Sequence, residues 1–265
     1  MPIHSKLGLG GHTFIAELGN DPLATFEEQC EIVRTCLNES IHLIDTTYYQ
    51  ERAALGQIFT AIGRREEARV MAWNFFKEPG KENELVPFTP FESAHIRQML
   101  EELQTDSIDI LVIHAHDDSV KLKQELSLAK QWMSEGKVKK VGLGMAQLKH
   151  LQLLPDDHPV THVLAPYNAF RLEAAEMFTY ARDYGMTTIA LSPFIRGWKL
   201  DELGEQKSMA ADLLLRWVTQ QPLIDHVIVS MRAKDWIHAN LQAAGRGPLN
   251  EKERTIIDNW TARIG

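Results

Sequence analysis

Side chains capable of acid–base chemistry follow three short apolar segments in the first half of the chain. Asp45 ends the segment HLID and is followed closely by Tyr48 and Tyr49, Asn74 follows RVMAW, and His114 ends IDILVIH. A carboxylate, an imidazole and a phenol that lie together can hand a proton to a developing alkoxide, provided that something lowers the phenol pKa from about 10. These residues therefore predict general acid catalysis, on condition that the fold brings the three segments together.

Runs rich in valine, isoleucine and leucine recur along the chain and predict strands. They are HLID (42–45), RVMAW (69–73), IDILVIH (108–114), KKVGLG (139–144), HVLAP (162–166), TTIALS (187–192) and HVIVS (226–230). The runs are apolar without clean alternation, which is typical of parallel strands covered by helices on both faces. Together with the N-terminal KLGLGG segment they give about eight strand–helix units.

Helical patterns fill the intervals between these runs. In TFEEQCEIVRTCL, Thr25 and Glu28 have the spacing of a capping box. In ESAHIRQMLEEL the apolar residues share one face, and RLEAAEMFTYARDYG ends on Gly185, a residue suited to a helix C-terminus.

The alternation predicts an α/β fold, a (β/α)8 TIM barrel that forms a single domain over residues 1–265. A doubly wound sheet is the alternative, but it would favour a G-x-G-x-x-G turn that leads into the first helix, and LGLGGH does not have that spacing. In a barrel of this kind the active site forms at the carboxyl ends of the strands. Asp45, Asn74 and His114 are therefore expected to converge on one mouth.

Charge, cysteine content and hydropathy indicate which partners and which compartment to expect. The formal net charge is −8 and no cluster of five or more lysines and arginines occurs, which argues against nucleic acid. Cys30 and Cys36 lie six apart in one predicted helix, too far for a disulfide, and no apolar run reaches the 18 residues of a membrane helix. We expect a cytoplasmic protein that acts on a small molecule.

Five segments resemble signatures of the aldo-keto reductase family. IDTTYYQERAALG is similar to D-T-A-x-x-Y-G-x-x-E-x-x-L-G, IDILVIHAHD to D-L-Y-L-I-H-x-x-D, SEGKVKKVGLG to E-x-G-K-I-R-x-I-G-V-S-N, VLAPYN to Q-x-x-Y-N, and IALSPF to I-A-Y-S-P-L. Order and spacing match from about residue 5 to about residue 245. The resemblance implies an (α/β)8 barrel, an NADPH-dependent reduction of aldehydes or ketones, and a catalytic set of Asp, Tyr, Lys and His.

Carried over residue by residue, the resemblance assigns the aspartate to Asp45 and the histidine to His114. The position five residues after the aspartate is Gln50, so the tyrosine is assigned to Tyr49, with Tyr48 as the alternative. The family's A-T-K reads A-W-N, which places Asn74 where the lysine is expected and, by strand alternation, turns Trp73 outward. A neutral amide cannot favour ionised tyrosine as an ammonium does, and each pKa unit not recovered corresponds to about 1.4 kcal/mol.

The resemblance also implies a cofactor site in the second half of the chain. The residues implied as NADPH ligands are Ser192, Ser230, Arg232 and Asn240. A helix that begins near Ala233 suits an anion, and the planar guanidinium of Arg232 suits a 2′-phosphate. The nicotinamide end departs from the family pattern, since its usual polar and aromatic contacts are replaced by Gly144, Met145, Leu164 and Leu191.

Several interpretations stay open on the sequence alone. The protein is an NADPH-dependent oxidoreductase with an altered catalytic set, or it is a non-redox lyase, isomerase or binding protein on the same barrel. Asp45 can also cap a loop, His114 can pack in the core and Arg232 can lie on the surface. The aromatic residues Trp198, Phe76 and Phe88 can wall a pocket or pack the loops. His114 and His116 have the spacing of two metal ligands, but the later strand ends supply no further ligand, so no metal site is predicted.

Overall fold

Eight parallel strands close into one barrel in chain order in the computed structural model, which describes residues 6–18, 21–81, 84–195 and 200–264. The strands are β1 (Leu7–Leu9), β2 (Leu43–Tyr48), β3 (Arg69–Phe75), β4 (Ile108–His114), β5 (Val138–Gly144), β6 (Val160–Pro166), β7 (Thr187–Leu191) and β8 (His226–Val229). The first strand pairs with both β2 and β8, which closes the cylinder. The predicted (β/α)8 barrel is confirmed.

Helices alternate with the strands around the outside of the barrel. Those described are α1 (Phe26–Asn38), α2 (Tyr49–Ile62), α3 (His95–Leu103), α4 (Ser119–Ser134), α5 (Leu148–Gln152), α6 (Ala175–Asp183), α7 (Lys207–Thr219), α8 (Lys234–Gly245) and α9 (Glu251–Ile264). The predicted capping box starts α1, where Thr25 Oγ1 accepts from the Glu28 amide at 3.3 Å and Glu28 Oε2 accepts from the Thr25 amide at 2.8 Å. Local sequence thus decides where this helix begins.

The barrel interior and the layer between barrel and helices are separate apolar clusters. Alternation along each strand sends one set of side chains inward and the other outward to the helices. The inward cluster is small and is formed by Leu43, Met71, Trp73, Ile110, Val112, Leu164, Ile189 and Ile228. This plug separates a polar carboxyl end from a polar amino end of the same cylinder.

A buried arginine fixes the carboxyl ends of β2 and β3. The guanidinium of Arg52 on α2 donates to the carbonyl oxygens of Thr47, Trp73 and Phe75 at 3.2, 2.9 and 2.9 Å. Its Nε donates to Glu102 at 2.6 Å, so the buried charge is compensated. Arg52 therefore links the ends of the two strands that carry Asp45 and Trp73.

Cys30 and Cys36 are both free and buried in α1. Among the described residues no helix has both the length and the apolar character needed to cross a bilayer.

Candidate active site

Asp45 lies at the centre of the polar end of the barrel. Its side chain is buried, and Oδ1 accepts a hydrogen bond from Trp73 Nε1 at 2.7 Å. Burial raises the pKa of Asp45 to about 7, and the charge of Glu51 adds to this rise, whereas the Trp73 bond opposes it. Near neutral pH this carboxyl group therefore exchanges a proton with little change in free energy, which is the condition for acid–base chemistry.

Trp73 and not Asn74 faces the barrel mouth, so the expected orientation of these two residues is wrong. The Trp73 indole lies within the inward cluster and packs against Gly144 on β5, where an added Cβ would come within 2.1 Å of the ring. Because Met71 faces inward, alternation along β3 takes Trp73 inward as well and sends Asn74 outward. The position next to Asp45 therefore carries a neutral indole donor.

The side chain of Asn74 lies on the outer face of β3, under α4. Its Nδ2 donates to the Thr89 carbonyl at 3.0 Å and to Glu125 Oε1 at 3.4 Å, while Oδ1 accepts from the His114 amide at 2.9 Å. Asn74 thus holds the end of β4 in place through the backbone of His114. The sequence predicts that Asn74 meets Asp45, and this prediction is wrong because the two side chains lie on opposite faces of the barrel wall.

The two tyrosines point to different surroundings. The ring of Tyr48 lies 5.0 Å from that of Phe75, which in turn lies 5.8 Å from the His114 ring. Tyr49 begins α2, and the Lys77 amine lies 6.0 Å from its ring centroid. Tyr48 therefore belongs to the aromatic group at the mouth, while the preferred candidate Tyr49 lies beside Lys77.

The spacing of the signature itself contains the signal for Tyr48. In D-T-A-x-x-Y-G-x-x-E-x-x-L-G the tyrosine precedes the leucine by seven residues, and seven residues before Leu55 is Tyr48. The segment here is two residues shorter than the signature, which is why counting forward from Asp45 reaches Gln50 instead.

His12 and Glu51 complete the site, and neither was singled out from the sequence. His12 Nδ1 lies 2.7 Å from Glu51 Oε1, and its ring centroid is 6.1 Å from that of Tyr48. Burial would lower the pKa of His12, but the hydrogen bond to Glu51 and the charges of Glu51 and Asp45 outweigh it and raise the pKa. An imidazole that tends to be positively charged therefore lies beside both the tyrosine and the aspartate.

A glycine makes this contact possible. A Cβ at Gly11 would lie 2.1 Å from Glu51 Oε2, so only glycine lets the loop after β1 approach the carboxylate. Glu51 also accepts the amides of Thr47 and Tyr48 at 2.5 and 3.3 Å. In the sequence, the G-G-H run at residues 10–12, directly after the first strand, is the feature that could have pointed to His12.

His114 lies on the opposite side of the mouth from His12. Phe88 stacks on its ring with centroids 3.9 Å apart and planes 6° from parallel. Its Nδ1 lies 2.8 Å from the carbonyl oxygen of Ala115, which can only accept, so Nδ1 carries the proton and Nε2 is the acceptor of the neutral ring. Burial lowers the pKa of His114, which favours this neutral form.

His116 is engaged by Glu125 on α4. Its Nε2 lies 2.7 Å from Glu125 Oε2, and Glu125 also accepts the Phe91 amide at 2.8 Å. Within the described ranges no three His, Cys, Asp or Glu side chains are grouped so as to hold a metal ion. Of the three aromatic candidates for the pocket wall, Phe88 contacts the site, Phe76 stacks on His95 at 3.8 Å, and Trp198 lies outside the described residues.

Arg232 occupies a structural position instead of an open anion site. Its Nη2 donates to the carbonyl oxygens of Ile15 and Ala16 at 2.6 and 3.2 Å. Its Nε donates to the carbonyl oxygen of His12 at 3.2 Å, and its Nη1 donates to that of Asp21. The guanidinium is buried and so thoroughly engaged that it cannot present a planar fork to a 2′-phosphate. It anchors the loop that carries His12, and the proposed clamp is a wrong assignment.

The other implied cofactor residues lie around the ends of β7 and β8. Ser230 is exposed directly after β8, and Asn240 is half-buried on α8. Ala233 precedes α8 in an extended conformation and makes no side-chain cap, so a bound anion can take that place at the helix N-terminus. Ser192 uses its carbonyl oxygen to accept from Asn168 Nδ2 at 2.7 Å, in a left-handed conformation at φ 54°.

Comparison with known proteins agrees with this architecture. The family model described as the Aldo/keto reductase family matches residues 6–209. The chain is similar to aldo-keto reductase YhdN of Bacillus subtilis, with 25% identity over 222 residues that cover 78% of this chain and 64% of that protein. A second relative, aldo-keto reductase str7 of Strobilurus tenacellus, is 30% identical over 102 residues, which cover 37% of this chain and 30% of that protein. The matches thus span less than two thirds of either relative.

Solved structures show the same fold. An aldo-keto reductase, AKR11C1 from Bacillus halodurans in its holo form, superposes with a TM-score of 0.74 at 18% identity, covering 96% of this chain and 91% of that one. An aldo/keto reductase from Klebsiella pneumoniae in complex with NADP and acetate gives a TM-score of 0.74 at 17% identity, covering 97% and 91%. At these identities the likeness concerns the barrel.

Proposed function

Because the chain belongs to the aldo/keto reductase family, we propose that it is an oxidoreductase that uses NADPH to reduce a small aldehyde or ketone, with an altered set of catalytic residues. The observation that carries this proposal is the group at the mouth, where Asp45, Tyr48, His12 and His114 lie around Trp73 and Phe75. These side chains can supply a proton to a carbonyl oxygen as it becomes an alkoxide.

Tyr48 is the proposed proton donor. Its ring lies between Phe75 and His12, at 5.0 and 6.1 Å between centroids. A phenol with a pKa near 10 is a slow acid at neutral pH unless a positive charge stabilises its anion. His114, whose neutral ring has an acceptor at Nε2, is proposed to orient the alcohol product by accepting a hydrogen bond from its hydroxyl group.

His12 is proposed to provide the positive charge that the family obtains from lysine. In this chain the group on β3 beside Asp45 is the uncharged Trp73 indole. His12 approaches the same aspartate from the loop after β1, and Glu51 and Asp45 both favour its charged form. The positive charge would then come from the loop after β1 instead of from the end of β3. Because an imidazole titrates near neutral pH, this charge would depend on pH.

The chain's residues fit part of the implied cofactor. Ser230, the uncapped start of α8 and Asn240 are suited to hold the phosphates and the adenosine. Reduced nicotinamide supplies a hydride when it is bound. The nicotinamide end offers fewer polar groups, because Leu164 is part of the barrel core and Gly144 lies against the Trp73 ring.

One observation favours a second function. The Trp73 indole fills the space above Gly144, on the side of the mouth where the resemblance expects contacts to the nicotinamide. Asp45, His12 and His114 would still form an acid–base set without any hydride donor. A non-redox lyase or isomerase, or a binding protein, is the alternative that this packing supports.

Titration of the whole protein with NADPH, followed by cofactor fluorescence, tests the choice. We expect saturable binding with a blue-shifted emission, and weaker binding of NADH. The proposal is abandoned if millimolar NADPH leaves both the cofactor emission and the tryptophan emission unchanged, since Trp73 lies at the site. In that case the non-redox alternative takes its place.

Substitution of the two tyrosines tests the proton donor. With an aromatic aldehyde as probe substrate, Tyr48→Phe should lower kcat by about 10²- to 10⁴-fold with a small change in KM, since a general acid contributes that much. Tyr49→Phe is the matched control and should keep kcat within a few fold. The assignment is wrong if Tyr49→Phe is the more damaging change, or if both variants keep the rate of the unmodified protein.

A further inference from the structure

A second polar site lies at the amino end of the barrel, on the opposite side of the apolar plug from the candidate active site. A cleft of about 400 Å³ opens there between the first residues of β3, β5, β6, β7 and β8 and the end of α6. Ligand sites in proteins commonly range from about 300 to 1,000 Å³. We call it the amino-end cleft and define it by Arg69, Lys140, His162, Arg182, Asp225 and His226.

Two histidines form the floor of the amino-end cleft. His162 and His226 are each 6% exposed, and they begin the inward-facing rows of β6 and β8 that continue as Leu164 and Ile228. A Cβ at Gly142 would lie 3.6 Å from the Cβ of His162, which places that side chain inside the cylinder. His162 Nδ1 lies 2.8 Å from Thr161 Oγ1, while its Nε2 makes no hydrogen bond with the described residues.

Cations surround this floor and outnumber anions. Asp225 accepts from Arg182 at 2.8 Å and from the Thr188 amide at 2.9 Å, so its charge is already compensated. Arg69 and Lys140 are exposed at the rim, and within the described part of the chain neither side chain forms an ion pair or a hydrogen bond. The chain as a whole carries a formal charge of −8, so a cleft with excess positive charge is contrary to its average surface.

We propose that the amino-end cleft binds the phosphate group of a small phosphorylated molecule. Arg69 on β3, Lys140 on β5 and His162 on β6 line the cleft from three different strands, so that cations and a ring nitrogen can reach a tetrahedral dianion from several sides. A planar carboxylate would be better served by one bidentate arginine. The volume exceeds that of a phosphate alone, which leaves room for an organic group. This site is separate from the cofactor residues at the carboxyl end.

The charges that act on His162 agree with an anion site. Burial lowers the pKa of His162 to about 4, and the charges of Lys140, His226 and Arg69 lower it further, while Asp225 opposes them. Lys6, which donates to the Thr219 and Ile224 carbonyls at 3.0 and 3.1 Å, is also near Asp225 and Arg182. A bound dianion would oppose the nearby positive charges and so raise the pKa of His162.

Calorimetric titration of the full chain with inorganic phosphate tests the proposal, with chloride at matched ionic strength as the reference and citrate as a carboxylate probe. The test variant is Arg69→Gln with Lys140→Gln, both on the rim, where substitution leaves the core intact. The matched control is Arg97→Gln with Lys252→Gln, which removes the same charge from exposed positions on α3 and α9.

We expect phosphate to bind the unmodified protein and the control alike, and to bind the Arg69/Lys140 variant at least tenfold more weakly. The His162 ring signals in NMR should titrate at higher pH when phosphate is present. Equal affinity of the test and control variants, or no binding to the unmodified protein, would overturn the proposal. Binding of citrate in preference to phosphate would overturn the assignment to a phosphate group.

Discussion

The two ends of this barrel bury titratable side chains of opposite kinds. At the carboxyl end, burial raises the pKa of Asp45 to about 7. At the amino end, burial lowers the pKa of His162 to about 4. In both places removal from water favours the neutral form, and the direction of the shift follows only from whether the neutral form is the protonated one.

The ends differ in how their polar groups are satisfied. At the carboxyl end the partners are internal, because Trp73 donates to Asp45 and Glu51 pairs with His12. At the amino end Arg69 and Lys140 have no side-chain partner among the described residues. A site whose groups engage one another is arranged to move a proton, whereas a site of uncompensated cations is arranged to receive a charge from outside.

Removal of the Trp73 ring should cause the largest loss of stability at either end of the barrel. Trp73→Ala empties the centre of the inward cluster and deprives Asp45 of its donor, so we expect a loss of about 3–5 kcal/mol in the free energy of unfolding. Urea denaturation measures it.

Two further variants separate the contributions of Trp73. Trp73→Phe keeps most of the ring but loses the N–H group, and should cost about 1–3 kcal/mol. Trp236→Ala, at a residue 38% exposed on α8, is the control and should cost less than Trp73→Ala, about 1–2 kcal/mol, because part of its ring already lies in water. If Trp73→Ala lost no more stability than Trp236→Ala, the indole of Trp73 would not be an essential part of the inward cluster.

Strand and helix positions were predictable because they depend on local patterns. The apolar run IDILVIH became β4 with the same bounds, Ile108–His114, and the Thr25–Glu28 spacing began α1 where expected. The single barrel followed from the repetition of such units and from the family resemblance. The family assignment is confirmed by the match over residues 6–209, while the catalytic roles stay predictions.

Side-chain direction was harder to predict because it depends on register and on distant contacts. A shift of one residue on β3 exchanges Trp73 for Asn74, and both fit an apolar strand end. What settles the choice is Gly144, 71 residues further on, which leaves room for the indole ring. Arg232 shows the same limit, since its carbonyl partners lie more than 200 residues earlier in the chain.

Asp45→Asn tests the acid–base balance at the carboxyl end. Unfolded Asp45 ionises near pH 3.8 and the folded residue near pH 7, so the unmodified protein should lose stability as pH rises between these values. The span of roughly three pKa units corresponds to at most about 4 kcal/mol. The variant, which keeps an acceptor for Trp73, should gain stability relative to the unmodified protein from pH 4 to pH 8.

The pH dependence of His12 acts in the same direction, and the substitution weakens it, because the charge of Asp45 helps to raise the pKa of His12. Its pKa is raised in the folded protein, so its contribution is also lost as pH rises. A stability difference between Asp45→Asn and the unmodified protein that stays constant from pH 4 to pH 8 would show that Asp45 titrates normally, and the comparison of the two ends would fail there.

His162→Gln provides the opposite test at the amino end, with the smallest expected effect. Unfolded His162 takes up a proton near pH 6.5 and the folded residue near pH 4, so the unmodified protein should lose stability as pH falls from 6.5 towards 4, by about 3 kcal/mol in all. Glutamine has no such proton uptake, so the variant should gain stability relative to the unmodified protein on the acid side, while the difference above pH 7 stays constant. Because the plug separates His162 from Asp45, the two substitutions should act additively in the double variant. A change at the alkaline side in His162→Gln would mean that the two ends are coupled through the barrel.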